Sequence, residues 1–135
     1  MAFSNDNGGF DFACSDAKMS IGASTWGTRL SQLSSATGEI LILTRDLADI
    51  GYITKILDKR PHNIWIVAHT DCIEAAQALK AARPWLRIAV HRDIGAKAVL
   101  VAPDTVWISS SDFGKTGKLE SAVGFHSPSL YSQTR

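Results

Sequence analysis

The sequence predicts an α/β domain built on a mixed β-sheet, and three observations carry that expectation. Two apolar runs, "EILILT" at 39–44 and "NIWIVA" at 63–68, are continuous rather than alternating, the pattern of strands covered on both faces. Between them Ile50, Ile53 and Leu57 recur at helical spacing, so the three segments read as a β-α-β unit. Further on, "GAKAVLVAPDTVWISSSDFG" at 95–114 reads as two apolar strands joined by a turn with Pro103 and Asp104 at its middle, which adds an antiparallel hairpin.

The remaining elements follow in order. Residues 1–18 are rich in Gly, Asn, Asp and Ser, the composition of a mobile arm or an edge segment, with Phe3, Phe10 and Phe12 available to dock it. Trp26, Leu30 and Leu33 share one helical face, with Ser24 or Thr25 placed as N-cap and Gly38 as the stop. The helix between the two buried strands closes on Lys59-Arg60 and then Pro61. After the second strand, Asp71 and Glu74 make a capping-box-like start for a short helix whose apolar face is Ile73, Ala76 and Leu79, and Pro84 stops it. "LRIAVH" at 86–91 is a third strand, the hairpin adds strands near 97–102 and 105–109, and "SAVGF" at 121–125 closes the sheet. These divide the chain into an arm at 1–18, one domain at 19–126 and a polar tail at 127–135.

Composition bounds the function classes. A chain of 135 residues with 45% hydrophobic and 20% charged residues is long enough to bury a core without a metal or disulfide. The formal net charge of +1 comes from scattered lysines and arginines, so no basic run points to nucleic acid. Two cysteines, Cys14 and Cys72, make no disulfide framework, and "MAFSNDNGGF" has neither a positive n-region nor an apolar h-region; the expectation is a reducing cytoplasm and no membrane insertion.

The hairpin also carries a motif. Its spacing resembles the signature of the phospholipase D superfamily, H-x-K, four residues, D, six residues, then G-S-x-N, with a strand–turn–strand between its halves. On that pattern Lys97 takes the lysine position, Ala102 the aspartate, Ser109 the glycine, Ser110 the serine and Asp112 the asparagine, while Glu120 matches a glutamate often found before the next strand. The resemblance covers roughly residues 25–126 and implies one phospholipase D-like half-domain, a mixed sheet with flanking helices, the hairpin and a closing strand. It implies a histidine that attacks phosphorus and a lysine and asparagine that hold the phosphate oxygens. Half-domains of this kind generally dimerise, so the resemblance implies a homodimer with isologous contacts near the hairpin.

At the histidine position this chain has Gly95, which supplies no nucleophile and no proton relay. Asp112 puts a carboxylate where an amide would meet phosphate, and like charges in a partly desolvated pocket repel. The expected arrangement is a vestigial site of Lys97, Ser110, Asp112 and Glu120, with Lys97 paired to Asp112 or Glu120. Ser109, Ser111, Trp107 and His69 are the binding candidates around it; the serines suit bonds to the strand end. His69 and Cys72 have metal-like spacing but form a single pair, so neither metal nor cofactor is expected. Of the other histidines, His91 lies four residues upstream of Gly95, about 13 Å along an extended strand, His126 follows the closing strand, and His62 precedes the second strand.

The favoured reading is a catalytically inactive phospholipase D-like protein, a small regulator or inhibitor that acts by occupying a protein partner or, second to that, nucleic acid. The alternative is a phosphodiesterase or nuclease using a displaced histidine, which requires a histidine near Lys97 in space. A third is a nucleotide or small-molecule sensor with an open cavity around Lys97.

Overall fold

The computed structural model describes residues 12–14, 16–22, 38–48, 50–58, 63–110, 113–114 and 120–134. The helix expected around Trp26, Leu30 and Leu33, the Lys59-Arg60-Pro61 closure and most of the N-terminal arm lie outside them. Within them are nine strands: β1 Asp16–Gly22, β2 Ile40–Leu43, β3 Leu47–Ala48, β4 Ile64–His69, β5 Arg87–His91, β6 Ala98–Val101, β7 Thr105–Ser109, β8 Phe113–Gly114 and β9 Glu120–His126. Three α-helices accompany them: α1 Ile50–Leu57, α2 Ile73–Ala82 and α3 Pro128–Thr134.

Seven strands form one mixed sheet in the order β1-β9-β7-β6-β2-β4-β5, and β3 and β8 form a separate two-stranded pair. β2, β4 and β5 run parallel, as the β-α-β reading requires, while β2–β6, β6–β7, β7–β9 and β9–β1 are antiparallel. The continuous apolar runs are buried chiefly on one face: Ile40, Ile42, Ile64, Ile66 and Ala68 sit under α1 and α2 with Ile53, Ile56, Leu57, Ala76 and Leu79. Ile73, expected on the inner face of α2, is 46% exposed: it stands at the first residue of the helix, after a 3-10 turn, Thr70–Cys72, at the margin of the packed face.

That turn corrects the expected cap as well. His69 is its N-cap, and its Nδ1 accepts the Asp71 N–H at 3.0 Å. The Asp71 carboxylate faces Arg45 at 3.1 Å instead of capping the helix.

Two further elements differ from the sequence reading. β1 begins inside the segment read as an arm and pairs along its whole length with β9. Residues 128–134, read as polar tail, form α3: Ser127 is fully buried, its hydroxyl accepts the Leu130 N–H at 3.2 Å and donates to the Ala13 carbonyl, and Pro128 stands at the first helical position. Leu130 then packs on Leu100 and Val106, on the face opposite α1 and α2. Among the described residues no helix is long and apolar enough to cross a membrane.

Two details of packing generate predictions. Trp107 lies across Gly124 on the neighbouring strand, and a Cβ at Gly124 would fall 2.7 Å from the indole ring. Gly124→Ala is therefore expected to destabilise the fold by about 1–3 kcal/mol, read as a lowered denaturation midpoint in urea. Arg83, at the end of α2, donates to both carboxylate oxygens of Asp58, at the end of α1, at 2.6 Å each. This hydrogen bonding, which outweighs desolvation, lowers the Asp58 pKa. A carboxyl held lower in the folded state stabilises above its unfolded pKa and loses that contribution as pH falls through its folded one. Asp58→Asn should lower the thermal midpoint modestly near neutrality, and its difference from the parent should shrink to nothing as the pH falls through the acid range, so the variant's profile is the flatter of the two.

Candidate functional site

The candidate site is an edge of the sheet, built by where strands start and stop. β2, β4 and β5 end on it, β6 and β9 begin on it, and β1 and β7 end on it, so residues distant in sequence share one rim. The carboxyl ends of parallel strands are the usual place for sites on open α/β sheets. Along this rim stand His91, His69, Arg45, Lys97 and Ser110, with the first residue of β9, Glu120, beyond them.

Lys97 precedes β6 and continues its ladder, since its carbonyl accepts the Ser109 N–H at 3.0 Å. Its side chain is half-buried, and Nζ donates to the Ser110 carbonyl at 3.2 Å across the hairpin mouth. The side chains of Ser111, Asp112 and Glu120 lie outside the described residues, so the expected pairing of Lys97 with either carboxylate does too. What is described is an ammonium drawn onto the strand end by a main-chain oxygen.

Ser110 serves the backbone. Its N–H donates to the Ser121 carbonyl at 2.9 Å, and its hydroxyl accepts the Ser121 N–H at 3.0 Å, extending the β7–β9 ladder by one residue. Ser109 is half-buried beside Lys97, and Trp107, 3% exposed, belongs to the core against Gly124 rather than to the rim.

The motif's other positions separate in space. Gly95 is open: nothing stands within 4 Å of where its Cβ would be, so its lack of a side chain is not a packing requirement. Ala102 lies at the opposite end of the hairpin, five residues or about 17 Å of strand from Lys97, where its N–H donates to the Glu39 carbonyl. The missing aspartate therefore concerns the turn, and of the described motif departures Gly95 is the one at the rim.

The histidines are not gathered at Lys97. His69 ends β4, two strands or about 10 Å from β6, and by alternation it faces the sheet side away from α1 and α2. His91 is its register neighbour on β5, one strand farther away, and His126 ends β9 at the other edge of the sheet. His69 and His91 share a local device, a histidine whose Nδ1 accepts the N–H of the aspartate two residues on, at 3.0 Å in each case. The Nδ1 of His69 also lies 3.3 Å from the Asp71 carboxylate, so Nδ1 of both imidazoles is engaged locally and Nε2 is the nitrogen left toward the surface. Cys72, the partner of His69 in metal-like spacing, donates its thiol to the His69 carbonyl, and no group of three His, Cys, Asp or Glu gathers for a metal among the described residues. The repeated H-x-D at two parallel strand ends was visible in "HTD" and "HRD", but only the register makes them neighbours.

No protein-family model and no curated protein matches the sequence. Solved structures do. The phospholipase D family member Nuc from Salmonella typhimurium matches with a TM-score of 0.68 and 20% identity over 88% of this chain and 90% of that one. NucT from Helicobacter pylori matches with a TM-score of 0.67 and 12% identity over 88% and 91%. TrmBL2, an archaeal chromatin protein described for its mode of DNA binding, matches with a TM-score of 0.64 and 13% identity; 87% of this chain covers 48% of that protein. The fold is phospholipase D-like, as the motif resemblance implied. Because the space at Gly95 is open, Gly95→His should fold with a thermal midpoint within about 2 °C of the parent, the range of a neutral surface change.

Proposed function

We propose that this phospholipase D-like chain binds without hydrolysing, as a small regulator or inhibitor that occupies a protein partner. The observation that carries the reading is the state of the nucleophile: the motif position is Gly95. The two described histidines on the same rim, His69 and His91, each engage Nδ1 locally with the aspartate two residues on. In-line attack needs a lone pair within about 3.5 Å of phosphorus, and imidazoles two and three strands from Lys97 do not make that approach. Ser110, whose carbonyl accepts from the lysine, has its hydroxyl held in the main-chain ladder, which supports the same conclusion.

The similarity to TrmBL2 supports a binding role for this fold, and DNA is the polyanion its name brings forward. A net charge of +1 favours a protein partner here, because sequence-independent DNA binding rests on phosphate neutralisation by many lysines and arginines. The hydrolytic alternative, with a displaced histidine or a different nucleophile, requires a histidine near Lys97 in space.

The test is hydrolysis of a chromogenic phosphodiester and of labelled single- and double-stranded DNA by the parent and by Lys97→Ala, with fluorescence anisotropy on the same DNA. The expected result is no turnover above buffer, no difference between the two proteins and no saturable DNA binding at physiological salt. Turnover that falls in Lys97→Ala would overturn the non-hydrolytic reading, and saturable DNA binding would replace the protein partner with nucleic acid.

A further inference from the structure

The sheet ends at β5, and among the described residues no strand pairs with its outer edge. The main-chain N–H and C=O groups that alternate away from β4 are left to water there, and another strand is what matches them in full. Natural sheets guard such an edge with a proline, a bulge or a charge held over the strand. β5 has neither proline nor bulge, since its register with β4 runs unbroken from Trp65–Arg87 to His69–His91. Its arginine is drawn inward: the Arg87 Cζ lies 4.7 Å from the ring centroid of Trp65 on β4, which leaves the edge clear.

A hollow runs beside that edge. α2 packs next to β5 on the core side, and the two leave about 250 Å³ lined by Ile73, Ala76, Gln77 and Lys80 of the helix and Ile88 and Val90 of the strand. Alternate side chains of an added strand would enter it about 7 Å apart, the spacing of Ile88 and Val90 themselves. The edge is also held in place. Lys80 Nζ donates to the Pro84 and Leu86 carbonyls at 2.7 and 2.6 Å, and the Leu86 N–H donates to the Arg83 carbonyl at 3.0 Å. A strand already fixed in this way loses little freedom when it gains a partner.

Charge selects among the strands that would fit. Residues 73–93, which hold α2, β5 and the turns beside them, carry Lys80, Arg83, Arg87 and Arg92 against Glu74 and Asp93. Lys80 is engaged by its two carbonyls and Arg83 by Asp58, which leaves Arg87 and Arg92, both exposed, at the two ends of β5. We propose that β5 accepts an added strand from a partner protein, an extended acidic segment with aliphatic side chains at the alternate positions that face the hollow and carboxylates near Arg87 and Arg92. Main-chain bonds along the edge supply the attachment, the hollow reads the alternate side chains, and the two arginines read the charge.

The inference rests on the protein-partner reading above and gives it a surface away from the rim, since no residue lining the hollow belongs to the candidate site. Turnover of a phosphodiester would overturn that reading and leave the edge of β5 as it is. A silent peptide titration would overturn this inference alone.

The probe is a synthetic peptide with the core Glu-Val-Thr-Val-Glu, which reads alike in both strand directions, titrated into the isotope-labelled full chain and followed through its amide resonances. The expected result is saturable binding that shifts the amides of residues 73–80 and 87–91 and leaves those of residues 16–22, in the edge strand β1 on the other side of the sheet, where they are. N-methylation of the peptide at one set of alternate residues should abolish binding and at the other set should not, because only one set faces β5. Arg87→Glu should weaken binding at least about fivefold and should favour the same peptide with lysines in place of its glutamates. Ile73→Lys, an exposed position at the hollow, should weaken both peptides, and the amide spectrum of each variant checks its fold. No saturable binding up to about 1 mM, binding indifferent to both methylation patterns, or shifts centred on β1 would overturn the proposal.

Discussion

Strand β2 joins the parallel and the antiparallel part of the seven-stranded sheet, and the placement of the elements on either side follows from its pairing. On one side it lies parallel to β4, with Ile40 beside Ile64 and Ile42 beside Ile66; on the other it lies antiparallel to β6, with Ile42 beside Val99 and Leu43 beside Ala98. Ile40, Ile42, Ile64, Ile66 and Val99 are nearly inaccessible, so a slip of one residue in either pairing would turn isoleucines out of the core. The Leu43–Ala98 pairing is also what places Lys97 on the rim where β4 and β5 end. A hydrophobic constraint at the centre thereby decides which polar residues meet at the edge.

The rim shows what such placement does and does not assemble. It collects a lysine, two histidines, an arginine and a serine, a set that could serve phosphate chemistry if aimed at one point. Among the described contacts, Lys97 donates to the Ser110 carbonyl, Ser110 bonds Ser121, His69 and His91 accept the N–H of the following aspartates, and Arg45 pairs with Asp71. The likeness to Nuc and NucT is a likeness of scaffold, and function depends on how the groups are aimed.

Away from the rim, the two faces of the sheet are unequally covered. Helices α1 and α2 bury one; among the described residues, the seven-residue α3 packs on Leu100 and Val106 of the other, where Ile108, Met19 and Ile21 are exposed. An edge strand such as β1, with Met19 and Ile21 outward, is a position where natural sheets usually carry charge or a bulge. Lys18 supplies the charge on the opposite face only.

Much of this was legible in the chain as written. The apolar runs at 39–44 and 63–68, the helical spacing of Ile53 and Leu57 and the Pro103-Asp104 turn are local patterns, and each formed the element its period dictates. The motif spacing from Lys97 to Asp112 was equally local and led to the right scaffold. The missed helix α3 had a local signal in "SPSL", a capping serine before a proline at the first turn, obscured by the polar composition around it. By contrast, the separation of Ala102 from Lys97, the adjacency of His69 and His91, the burial of Trp107 against Gly124 and the place of β5 at the edge of the sheet were decided by tertiary structure. Each depends on which strands lie side by side and in what register, and that is settled by packing between residues far apart in sequence, which a period of two or 3.6 along the chain does not encode.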